Sequence, residues 1–207
     1  MNAMHTKSAF LFERIRRVLR EGRYLPGQHI EPLALAREFK TSVTPVRYAL
    51  YQLAGADLIE IHPRGGFHVP MLFESALEGR YAWLERLLLD AIDGGSAAHP
   101  AAELPAVPDP TAIPDAAWAL FNAIADATDY EELCTALKRT NDQLAPVRHA
   151  KHTLLDDAQD ELSVLYRHWA ARDVASLKAG IRAYHQRRIA MVPRIVSHLR
   201  HTRASVH

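Results

Sequence analysis

The stretch YLPGQHIEPLALAREFKTSVTPVRYALYQL, residues 24–53, decides the fold. Leu25-Pro26-Gly27 reads as a tight turn, because proline fixes φ and glycine is free to take positive φ. A short strand is expected over Gln28 to Ile30, and Glu31-Pro32 opens a short helix whose Leu35, Ala36 and Phe39 face inward. After a turn at Lys40-Thr41 a third helix begins near Ser42, a suitable N-cap. Pro45 falls in its first turn, where a missing N–H costs nothing. Val46, Leu50 and Leu53 mark the buried stripe of this helix, while Thr44, Arg47, Tyr48 and Tyr51 project elsewhere. Gly55 is expected to stop it.

Upstream, Leu11, Ile15, Val18 and Leu19 recur at helical spacing and predict a first helix from Ala9 to Glu21, ended by Gly22. Its other face carries Arg14, Arg16, Arg17 and Arg20. Downstream, Leu58 to Ile61 and Phe67 to Val69 flank His62-Pro63-Arg64-Gly65-Gly66 and predict a β-hairpin. The expected order over residues 1–70 is therefore three helices and then a hairpin.

From Met71 onward strand signals vanish. Helical stripes appear at Leu72 to Ile92, Asp115 to Ala127, Thr128 to about Leu144, Asp156 to Ala171 and Asp173 to Leu199. Gly94 to Pro114 holds five prolines and reads as an extended loop. Thr128 with Glu131 suggests a capping box. Pro193 should kink the last helix near its fourth preceding residue. The fold class is thus mainly α: residues 1–70 form one domain, and residues 71–207 a second, all-helical one.

Composition narrows the function. The 207 residues are 48% hydrophobic and 24% charged, an ordinary globular balance. Residues 1–70 carry ten Lys/Arg against six Asp/Glu, and residues 71–207 carry fifteen against eighteen. A basic head beside an acidic body suits nucleic-acid binding by the head. No apolar run reaches membrane-spanning length, and Met1 to Ser8 does not read as a secretory signal, so a cytoplasmic protein is expected. Cys134 is the single cysteine. The twelve histidines are scattered without a metal-binding spacing. No paired catalytic carboxylates, phosphate loop or activated nucleophile appear, so no enzymatic activity is expected.

The segment from Leu11 to Val69 resembles the GntR family of bacterial regulators. The resemblance rests on Leu25-x-Pro26-Gly27, Leu35-Ala36, Ser42-x-Thr44-Pro45-Val46-Arg47-x-Ala49-Leu50 with Leu53, Leu58-Ile59, and Arg64-Gly65-Gly66-Phe67-x-Val69. It implies a winged helix-turn-helix whose third helix enters the major groove N-terminus first. Lys40, Thr41, Ser42, Thr44 and Arg47 would then meet bases or phosphates, with Arg64, Gly65 and Gly66 at the wing tip. The first-helix arginines would add non-specific attraction. The sequence departs from the family at Val43, where an arginine is usual, at Tyr48, where a glutamate is usual, and at Lys40, where a glycine is common. Val43 could touch a thymine methyl instead.

The helical remainder is similar to the FadR-like subfamily, in which such a domain dimerises and binds an effector. The clearest match runs from Ala171-Arg172-Asp173 to Tyr184-His185-x2-Arg188. Many members hold a divalent metal there. In this chain the ligand positions are occupied by Trp118, Asn122, Leu162 and Tyr184, so no metal cofactor is expected. These four, with Arg80, Tyr81 and His185, are the candidates for an effector pocket. A filled, ligand-free pocket and a shifted metal site using His149, His152 or His185 remain alternatives.

The resemblance implies a homodimeric regulator, usually a repressor, that binds a palindromic double-stranded operator and answers to a small organic effector. The competing reading is a winged-helix interaction protein, or an effector-independent regulator.

Overall fold

A computed structural model describes residues 2–62, 66–95 and 112–204, without the side chains of residues 2–7, 152, 203 and 204. Arg64 and Gly65, and residues 96–111 of the proline-rich loop, lie outside the described residues. Helix α1 spans Asn2–Arg20 and so starts seven residues before the expected Ala9; no proline or glycine interrupts it. Strand β1 is His29–Ile30, α2 is Pro32–Glu38, α3 is Val43–Gly55, and β2 and β3 are Glu60–Ile61 and Phe67–His68.

Local chemistry sets these boundaries. Gln28 N–H donates to Leu25 O at 2.9 Å and Gly27 has φ of 81°, so Pro26-Gly27 forms the turn the sequence suggested. The Glu31 carboxylate caps α2 by accepting from Leu33 N–H at 3.1 Å. Ser42 holds the N-cap position of α3, yet its hydroxyl makes no capping bond. The sheet orders β1-β3-β2, all antiparallel, so β1 joins the expected hairpin as a third strand. His29 and Glu60 lie opposite His68, and Ile30 and Ile61 lie opposite Phe67.

Helix ends depart most from the sequence reading. Four helices close with the same paired bonds, the first N–H beyond the cap reaching back three residues and the next reaching back five. The left-handed residue in these motifs is Gly22 after α1, but Lys40 after α2, Asp57 after α3 and Arg172 after the helix Ala158–Ala170. Helix α3 ends with Gly55 as expected, but Gly55 is not the left-handed residue of the motif. The turn falls at Asp57, whose φ is 54°.

The helical part comprises α4 (Glu74–Asp93), α5 (Ile113–Asp126), α6 (Glu131–Lys151), a 3₁₀ turn (His152–Leu154), α7 (Ala158–Ala170), α8 (Val174–Ala190) and α9 (Val192–Ala204). Helix α6 starts at Glu131, not Thr128; the Thr128 hydroxyl accepts instead from Tyr130 N–H at 3.3 Å. It also continues through Pro146 to Lys151, beyond the expected end near Leu144. The last stripe is two helices rather than one kinked helix. Pro193 has no N–H and its ring crowds the carbonyl of Ile189, so the break falls at Met191.

Buried apolar residues form two clusters. One joins Leu11, Ile15 and Leu19 of α1 to Leu35, Val46, Leu50, Leu53 and Phe67. The other gathers Leu77, Leu84, Phe121, Leu144, Leu162, Ile181 and Ile195 from all six α-helices of the helical part. Helix α1 also lies against α6, so the two parts touch.

Lys40 sits at φ of 51°. A side chain in that region costs about 1–2 kcal/mol, and glycine returns some of that as unfolded-chain entropy. Lys40→Gly is therefore expected to stabilise the chain by about 0.5–1 kcal/mol, measured by urea unfolding.

Candidate nucleic-acid interface and helical-core site

Burial of Val46, Ala49, Leu50 and Leu53 fixes which face of α3 is free. Ser42, Thr44 and Arg47 are exposed on the N-terminal half of that face, with Tyr48 45% and Tyr51 53% exposed beyond them. Lys40 is exposed in the preceding turn, while Thr41 is half-buried with its hydroxyl unpartnered among the described residues. The wing packs alongside: Tyr51 meets Phe67 edge-on at 5.2 Å, and His62 N–H donates to Gly66 O at 3.2 Å across the strand ends. Gly66 has φ of 113°, and a Cβ there would lie 2.5 Å from the His29 ring, so the close turn requires glycine.

The first-helix arginines do not act as one basic face. Arg14 lies over the Phe39 ring at 4.5 Å, and Arg20 lies over the Trp118 ring at 4.1 Å. Arg16 Nε donates to Asp142 at 2.6 Å and its Nη1 to Glu13. Arg17 is exposed. The expected pooled attraction to phosphate is thereby reduced, because three of the four guanidinia are committed to contacts within the chain.

The effector candidates divide into three places. Trp118 and Asn122 face α1 and α6: Trp118 Nε1 donates to Asp142 at 2.7 Å, and Asn122 Oδ1 accepts from Asn141 Nδ2 at 3.1 Å. They border a groove of about 490 Å³ lined also by Arg16, Arg17, Arg20 and Lys138. Arg80 lies on the other flank of the contact between the two parts, beside Asp57 and Arg139. Tyr81, Leu162, Tyr184 and His185 are buried in the helical core. Helix α5 presents Phe121 to them, its ring 5.3 Å from Tyr184 and 5.7 Å from His185. The four positions aligned with the family's metal ligands thus do not converge. Among the described residues, no three His, Cys, Asp or Glu side chains form a group that could hold a metal ion.

The core also contains residues that the sequence reading did not single out. Arg148 and Lys151 of α6 are buried beside Arg188, and Glu161 of α7 accepts from both Nη atoms of Arg188 at 2.9 and 2.6 Å. Arg148 and Lys151 are three residues apart and share a helix face, but the sequence reading ended this helix near Leu144 and left both beyond it. His185 donates from Nδ1 to Ile181 O at 2.8 Å, assigned as the protonated nitrogen, and burial pulls its pKa down to about 3.

Residues 7–69 match the family described as bacterial regulatory proteins, gntR family. The chain carries a GntR-family DNA-binding domain. Its coarse class is accordingly that of a DNA-binding transcription regulator. No curated protein matches the chain. Among solved structures, E. coli McbR/YncC is 18% identical with a TM-score of 0.66, over 94% of this chain and 99% of that one. A transcriptional regulator GntR from Rhodococcus sp. RHA1 is 15% identical with a TM-score of 0.71, over 90% and 97%. A GntR family member from Pseudomonas syringae pv. tomato is 19% identical with a TM-score of 0.50, over 98% and 90%. At these identities the likeness shows the fold, and it extends through the helical part of the chain.

Two measurements test the site. The unfolded chain takes a proton on His185 near pH 6.5, whereas the folded chain resists until about 3. Stability that is complete above pH 6.5 should therefore fall as pH drops through that window, by up to about 1.4 kcal/mol per pH unit. His185→Phe should flatten this fall in chemical unfolding curves. Asp142→Ala removes the shared acceptor of Arg16 and Trp118 and should cost about 1.5–3 kcal/mol, read from the urea midpoint.

Proposed function

We propose that this chain is a repressor of the FadR-like type, which binds a palindromic double-stranded operator as a homodimer and is tuned by a small organic effector. In this reading residues 1–70 hold the DNA, and residues 71–207 pair the chains and hold the effector without a metal cofactor. The observation that carries the DNA role is the exposed edge of α3. Ser42, Thr44 and Arg47 stand free on a helix whose opposite face is wholly buried. Such an edge can read base edges in the major groove, while Lys40 and the first-turn N–H groups meet phosphates. Arg64 and Gly65 complete the wing tip in this proposal, and Gly66 provides its close turn.

A second reading is favoured by Tyr48 and Tyr51, exposed aromatics of the kind enriched at protein interfaces. There α3 would dock on a protein rather than on DNA. Binding of the chain to its own upstream DNA separates the two. A regulator shows sequence preference and a steep loss of affinity with rising salt. Arg47→Ala is expected to weaken binding to the preferred site by about 1–3 kcal/mol, measured by fluorescence anisotropy against a scrambled duplex. Equal weakening on both duplexes would make Arg47 a phosphate contact. Salt-insensitive binding without preference would overturn the DNA reading.

A further inference from the structure

The wing sheet carries a row of imidazoles on one face. Register across the three strands sets His29 of β1 and Glu60 of β2 on either side of His68 of β3, so the three side chains share that face. His62, two residues after Glu60, joins them. Its ring centroid lies 4.4 Å from that of His68, and the His29 ring lies 4.9 Å from His68. On the opposite face Ile30 and Phe67 are buried and anchor the sheet. His29 and His62 are exposed, whereas His68 is half-buried, with its Nδ1 buried and unpartnered among the described residues. The row also supports the wing tip. The His29 ring packs so closely on the Gly66 backbone that a Cβ there would lie 2.5 Å from Nε2.

Protons do not enter this row on equal terms. The charged and titratable groups that act on His68 are His62 and Glu60 from the β2 side and His29 from β1. The first proton has a partner, because His62 Nε2 lies 3.1 Å from the Glu60 carboxylate. A second, on His68, meets His62 as a neighbour of like charge and finds Glu60 already engaged. Burial first, then His62 and His29, hold the His68 imidazole below its usual pKa, and Glu60 and the Gly66 backbone do not cancel this. Like charges set opposite each other across strands weaken the pairing. Little opposes them here: each strand has two residues, and β1 is tied further to the end of β3 only through Gly27 N–H to Val69 O at 2.8 Å and Val69 N–H to Gln28 O at 3.0 Å. We infer that the histidine row is a pH switch built into the wing: with at most one proton it holds the sheet closed, and in mildly acid solution further protonation opens the sheet and displaces the wing tip. Unfolded His68 takes its proton near pH 6.5 and folded His68 only at lower pH, so its contribution to the sheet is complete above 6.5 and falls as pH drops below it. The inference rests on the reading that the wing tip meets DNA, and it adds a condition under which it does so.

The test uses the full chain at fixed ionic strength and compares about pH 7.5 with about pH 5.5, which bracket an ordinary histidine. Amide exchange at Gly27, His62 and Val69, corrected for its intrinsic pH dependence, should rise at least about tenfold at the lower pH while the amides of α3 stay protected. Added positive charge strengthens attraction to any duplex, so preference for the upstream duplex over a scrambled one, rather than affinity itself, reports the wing. That preference should fall at least about fivefold at the lower pH. The double variant His29→Gln/His68→Gln should hold both readouts within about twofold across the range. Glu60→Gln, which removes the counter-charge, should lose them at a higher pH than the parent. Unchanged exchange at the three amides, or the parent's pH response in the double variant, overturns the switch. So does preference that stays constant while exchange rises. Rising exchange in a chain with no duplex preference at either pH supports the switch and defeats the DNA reading. Duplex preference with unchanged exchange does the reverse.

Discussion

Asp142 lies buried on α6 and accepts at once from Arg16 Nε at 2.6 Å and from Trp118 Nε1 at 2.7 Å. Arg16 belongs to α1 of the DNA-binding part and Trp118 to α5 of the helical part. A buried carboxylate without donors would be far too costly to keep, so each donor is required, and each comes from a different element. Asp142 thereby fixes where α1 sits on α6, and with it the direction in which α3 and the wing point. A second contact, Gln143 Nε2 to Asp57 O at 3.2 Å with Arg139 on the Asp57 carboxylate, restrains the turn after α3.

The residue before Asp142 extends the contact inward. Asn141 donates to the Trp118 carbonyl and to Asn122, and accepts from Arg148. A continuous hydrogen-bonded path therefore runs from α1 through Asp142, Trp118 and Asn141 to the buried cations of the helical core. Each link is directional, so moving Arg148 disturbs the groups that seat Trp118, and through Trp118 the stacked Arg20.

Much of the winged part was legible because its signals are local. Pro26-Gly27 dictates a turn, Pro32 starts a helix, and the 3.6-residue spacing of Val46, Leu50 and Leu53 sets the buried face of α3. Helix ends were less legible. The reading looked for glycine at the left-handed position, but Lys40, Asp57 and Arg172 hold that conformation as well. Their strain is offset by tertiary packing on either side, which no local rule registers. The same holds for α6, where Pro146 is carried inside a helix because the neighbouring turns are buried.

The linear order of residues settled the element types, the free edge of α3 and the glycine-closed wing, because each depends on contacts between near neighbours in the chain. The tertiary structure alone decided the rest. It turned Trp118 and Asn122 towards α1 and α6 instead of the core, committed Arg14, Arg16 and Arg20 to internal partners, and buried Arg148 and Lys151 with the Arg188–Glu161 pair. Those outcomes depend on how whole helices rotate against one another, and rotation is set by the fit of surfaces distant in sequence.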